Sequence, residues 1–109
     1  MNENTPLSEQ FRIVAKKWVD ADSAASLLEE TKTAVLAKMM SRQMGETGDT
    51  TVSRAEMQVK ASEEWHDFVQ SMVKAREKAA LLKVQLEYIR MQFSEWQSHA
   101  ATRRAEMKL

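Results

Sequence analysis

Apolar residues recur along this chain at alternating four- and three-residue spacing, in two separate stretches, and that pattern restricts the fold more than any other feature. The first series is Leu7, Phe11, Val14, Trp18, Ala21, Ala25, Leu28, Val35 and Met39, broken by Lys32. The second is Ala61, Trp65, Phe68, Met72, Ala75, Ala79, Leu82, Leu86, Ile89, Phe93, Trp96, Ala100 and Met107, broken by Arg103. On an α-helix this repeat draws one apolar seam along the cylinder and leaves the other faces to water. Two such helices cover each other by lying seam to seam. The pattern therefore predicts an all-α fold, a long, coiled-coil-like antiparallel helical hairpin, and supplies no chemistry of its own.

Composition points the same way. Ala, Leu, Met, Glu, Gln and Lys are abundant and favour helix, while two Gly and one Pro leave little material for turns. At 109 residues the expectation is a single domain, 1–109. Sixteen Lys and Arg balance sixteen Asp and Glu, so the whole chain has no electrostatic pull toward nucleic acid or anionic membrane. The absence of cysteine excludes disulfides, thiol nucleophiles and thiolate metal sites, and it favours the cytosol. Met1 to Thr5 is polar, unlike a signal peptide, and the apolar runs are too short to cross a bilayer. The chain reads as a cytoplasmic protein.

Local signals set the boundaries. Thr5 is the expected N-cap, Pro6 suits the first helical position, and Glu9 meets the positive end of the helix dipole. Helix 1 is expected over about 6–44, with Gly45 as its stop and a polar turn at 45–52. Ser53 and Glu56 form a capping box, with Val52 and Met57 as a hydrophobic staple around it. Ser62, followed by Glu63 and Glu64, is a second candidate N-cap, so helix 2 is expected over about 53–108, either continuous or bent near 61. Registers a heptad apart all match seam to seam. The favoured one sets Trp18 against Ile89, Ala21 against Leu86 and Ala25 against Leu82, large facing small. Another sets Ala21 against Ala79 and Ala25 against Ala75, which demands close approach.

Apolar surface remains outside the seam. Leu81, Val84, Tyr88 and Met91 fall on the opposite side of helix 2, and Ile13, Val19 and Leu27 lie off the seam of helix 1. A lone hairpin of this size buries little, so these residues predict another surface to cover them: first a homodimer closed into a four-helix bundle, with a different protein partner or scattered exposed residues as the alternatives. Leu81, Val84, Tyr88 and Met91 are the candidate interface.

Chemistry-bearing motifs are sparse. Glu63 and His66 have the spacing of a carboxylate-bridged metal bundle, to which Glu29 or Glu30 would add ligands, giving a dimeric, ferroxidase-like alternative. Seam phase turns Glu63 and His66 outward, whereas such ligands must point inward, so no metal or cofactor is expected. His99 beside Glu95 has the spacing of a surface ion pair. No serine elbow or glycine-rich phosphate loop is present, and the chain reads as a non-enzyme. Trp18, Trp65 and Trp96 all fall on the seam and are expected in the core. Lys32 on the seam either snorkels to water or pins the register. Lys74, Arg76, Lys78, Lys83 and Arg90 form a basic run, with Arg103, Arg104 and Lys108 beyond it. Acids interleave with these cations, and Glu87 with Arg90 and Arg103 with Glu106 have ion-pair spacing. A nucleic-acid-binding accessory factor using this half of helix 2, with Arg103, Arg104 and Lys108 as weak contacts, is the main alternative.

The stretch Ala61–Trp65 and the end from Tyr88 to Leu109 carry Arg90, Phe93, Trp96 and then Thr102-Arg103-Arg104-Ala105-Glu106-Met107. This C-terminal half resembles small helical proteins of phages and prophages. The resemblance implies a phage-derived protein, cytoplasmic in its bacterial host, in an accessory role to DNA recombination or replication. It brings no functional residues with it. The expectation is a helical interaction protein whose protein partner the residues do not name.

Overall fold

The computed structural model describes residues 1–48 and 51–108. They form three helices, α1 (Leu7–Thr47), α2 (Val52–Lys60) and α3 (Glu63–Met107), and no strand occurs among the described residues. The fold is all-α. By contact density the chain forms two compact units, Met1–Asp20 with Lys78–Leu109, and Ala21–Glu77.

Helix ends differ from the sequence expectations in informative ways. Thr5 does not cap α1. Its hydroxyl accepts from the Asn2 N–H (3.2 Å), and the Thr5 carbonyl accepts from the Gln10 side-chain amide (2.7 Å). The Pro6 carbonyl takes the first backbone bond, from the Gln10 N–H at 2.9 Å. Gly45 does not stop α1 either. The helix runs to Thr47, and Gly48, at φ 78°, takes the left-handed turn while donating its N–H to the Met44 carbonyl (3.0 Å). Only Gly adopts that φ without a Cβ penalty, so the later glycine ends the helix. Of the expected 45–52 turn, Asp49 and Thr50 lie outside the described residues.

The start of α2 is set by Thr51, whose hydroxyl accepts from the Arg54 N–H (3.2 Å), and not by the Ser53–Glu56 box. Val52 and Met57 are exposed and form no staple core. The bend near 61 is present. Ala61 closes α2 by donating to the Met57 carbonyl (3.0 Å), and Ser62 caps α3 through its hydroxyl and the Trp65 N–H (3.2 Å).

In the unit built from residues 1–20 and 78–109, Val14, Leu86 and Ile89 form the core, with Leu7, Phe11, Ala15, Trp18 and Leu82 packed on it. The Arg90 guanidinium carbon lies 5.4 Å from the centre of the Phe11 ring. Phe11 is therefore the α1 residue across from this turn of α3, a heptad away from the expected register that put Trp18 against Ile89. The unit of residues 21–77 gives the same answer. Arg76, next to Ala75, reaches the hydroxyl of Ser26, next to Ala25, at 3.3 Å. The close-approach register wins, and Ala25 is accordingly 0% exposed. Small side chains let the backbones approach closely at this layer, where dispersion contacts are densest.

Candidate functional site

Two surfaces of α3 carry most of the exposed large apolar residues of the unit containing residues 78–109. The first is its outer face. Leu81, Val84, Tyr88 and Met91 recur at three-, four- and three-residue spacing and are 58–66% exposed. Among the described residues nothing fully covers them, as their phase requires. On α1, Val19 and Leu27 are likewise exposed, whereas Ile13 is half-buried.

The second surface is the end of the seam itself. Phe93 and Trp96 were expected in the core, yet they are 46% and 61% exposed. Their rings stack on each other, with centroids 6.0 Å apart and planes 20° from parallel. The register explains the exposure. It sets Phe93 across from Leu7, where α1 begins, and leaves no α1 turn across from Trp96 or Ala100. An open apolar groove results, lined by Leu7, Phe11, Ile89, Phe93 and Trp96, with Arg90 beside it. Beyond the groove, Arg103, Arg104 and Lys108 are exposed, and the Arg104 Nε donates to its own helix at the Ala100 carbonyl (3.4 Å). Arg90, expected beside Glu87, has turned onto Phe11 instead.

Charge is organised differently in the unit of residues 21–77. Arg76 belongs to the basic run, but it is clasped between helices. Its Nη1 donates to Asp22 (2.6 Å), its Nη2 to Glu29 (2.7 Å) and its Nε to the second Glu29 oxygen (3.0 Å). The paired bonds to Glu29 are the bidentate geometry in which guanidinium binds carboxylate best. These bonds hold the Glu29 carboxyl below the usual carboxylate range and raise the Arg76 guanidinium. A second inter-helix pair joins Arg42 to Glu64. The clasp was missed because it depends on register. The available signal was that Arg76, Asp22 and Glu29 each directly follow a seam residue and so flank the seam.

The remaining candidates are dispersed. Glu63, His66, Glu95 and His99 are exposed, and Glu29, a possible extra metal ligand, is occupied by Arg76. No group of three or more His, Cys, Asp or Glu able to hold a metal ion occurs among the described residues. Lys32 is exposed, which fits a snorkelling stem better than a buried register pin. No helix among the described residues is long and apolar enough to cross a membrane. The chain matches no protein-family model, no curated protein and no solved structure.

Proposed function

We propose that this chain is a non-enzymatic helical interaction protein that self-associates through the outer face of α3, two hairpins closing into a four-helix bundle. The observation that carries this reading is the row Leu81, Val84, Tyr88 and Met91, four large apolar side chains on one helix face, each more than half exposed. Their spacing is that of a second helix-packing seam. Each side chain fully covered contributes about 1.5–3 kcal/mol, and two-fold symmetry doubles the sum. The phage resemblance supports an accessory role in DNA recombination or replication, exercised through contacts with protein rather than through catalysis.

Sedimentation at micromolar concentration tests the assembly. The wild-type chain is expected to be dimeric, and Val84→Glu with Tyr88→Glu should give monomers whose helicity is reduced. Trp18→Ala should weaken the fold without selectively abolishing association. A stable wild-type monomer sinks the reading.

A further inference from the structure

The open end of the α3 seam has a recognition rule that the chain itself displays elsewhere. Directly after successive seam positions, α3 places Arg76, Lys83, Arg90, Gln97 and Arg104, a mostly cationic flank with a seven-residue period. The matching flank of α1 is Ser8, Ala15, Asp22 and Glu29. In the unit of residues 21–77, acid meets base on this flank, and Arg76 is held by both Asp22 and Glu29. In the other unit, α1 offers only Ser8 and Ala15, and Arg90 settles over the Phe11 ring instead. The α1 helix begins at Leu7, across from Phe93, so the seam residues Trp96 and Ala100 and the flank residue Arg104 lie past the start of their own partner helix.

We propose that this open seam is a docking groove for an acidic amphipathic helix of another protein. Its apolar residues, at three- and four-residue spacing, would lie on Phe93, Trp96 and Ala100, and two of its carboxylates, two heptads apart, would engage Arg90 and Arg104. The charge of the α3 end that carries the groove selects this occupant. From Arg90 to Lys108 there are four Lys or Arg against two Glu, Glu95 and Glu106, so a second copy of the same segment brings like charge to like. A helix with acids on the flank repeats what Asp22 and Glu29 do for Arg76, with the preformed aromatic stack as its apolar anchor. The groove and the outer stripe are different faces of α3, so this docking does not depend on self-association.

The test uses the full-length protein and two synthetic amphipathic peptides with an identical Leu/Ala seam. One carries Glu at every flank position and the other carries Lys, and binding is followed by calorimetry. The Glu peptide is expected to bind at least about tenfold more tightly than the Lys peptide, an electrostatic preference of the size close charge pairs give. Arg90→Glu with Arg104→Glu should invert the preference. Trp96→Ala should weaken the Glu peptide by a similar factor, and Gln97→Glu, an exposed change on the same flank, should weaken it alone. Circular dichroism checks that each variant stays helical. Val84→Glu with Tyr88→Glu should leave peptide affinity unchanged, which separates this groove from the self-association surface. Equal affinity for both peptides overturns the proposal, as does binding lost in the outer-face variant. Tighter binding of a single-stranded (dT)20 oligonucleotide, abolished by Trp96→Ala, overturns it as well and reassigns the groove to nucleic acid.

Discussion

The two ends of α3 carry the same local device with opposite fates. Near its start, Trp65 stacks on Phe68, centroids 5.5 Å apart; near its end, Phe93 stacks on Trp96 at 6.0 Å. Both pairs lie on the seam, three residues apart, so sequence and helix geometry treat them alike. Yet Trp65 is 7% exposed and Trp96 is 61% exposed. Across from Trp65 the register sets Val35, with α1 continuing to Thr47, and the same unit includes α2 with its buried Ala55 and Val59. Across from Trp96 there is no helical turn. An aromatic on a heptad position becomes core only if the partner helix reaches it, and reach is a property of register and length.

That contrast is sharpest at the two tryptophans. Trp65→Ala should open a cavity and cost about 3–5 kcal/mol in denaturant unfolding. Trp96→Ala should change stability by no more than about 0.5 kcal/mol, as exposed substitutions do. Equal costs would break the comparison and mean that the end of the seam is covered. A smaller effect tests the register that creates the difference. Ala25, with no exposed surface, sits where the helices approach closely, so Ala25→Leu should cost about 1–3 kcal/mol through overpacking. A neutral or stabilising result would mean that the helices do not approach closely at Ala25, and would break the register argued from it.

The smallest effect concerns charge. Arg76 holds the Glu29 carboxyl below its ordinary range, so the folded state binds this proton less readily than the unfolded chain does. Its contribution is present above the usual carboxylate value and is lost as pH falls toward the lowered one. Melting temperature followed from neutral to acid pH should therefore drop in that window, and Arg76→Gln should flatten part of the drop. If Arg76→Gln leaves the acid profile unchanged, the clasp makes no contribution in solution, and the distinction between an acid-satisfied flank and an open one loses its basis.

Much of the fold was legible in the residues. The helices, the seam, the break at Ala61–Ser62 and the outward phase of Leu81, Val84, Tyr88 and Met91 all follow from periodicity and capping chemistry, because these act within a few residues of one another. The errors were of two kinds. At helix ends, neighbouring residues compete for the same role: Thr51 against Ser53, Gly48 against Gly45, and Thr5 drawn away by Asn2. Local pattern does not rank such neighbours. At the seam, side-chain volume in one layer does not decide the register, because each heptad shift satisfies the apolar pattern.

By itself, then, the sequence determined that this chain is helical, which face of each helix is apolar, and which apolar residues are left over. Tertiary structure alone decided how far one seam slides along the other. A heptad repeat matches itself at every shift of seven, so each shift satisfies the pattern equally. The choice falls to summed side-chain volumes and to flank charges that meet only once the helices are side by side. That slide joins Arg76 to Asp22 and Glu29, puts Phe11 under Arg90, and leaves Trp96 beyond the start of α1.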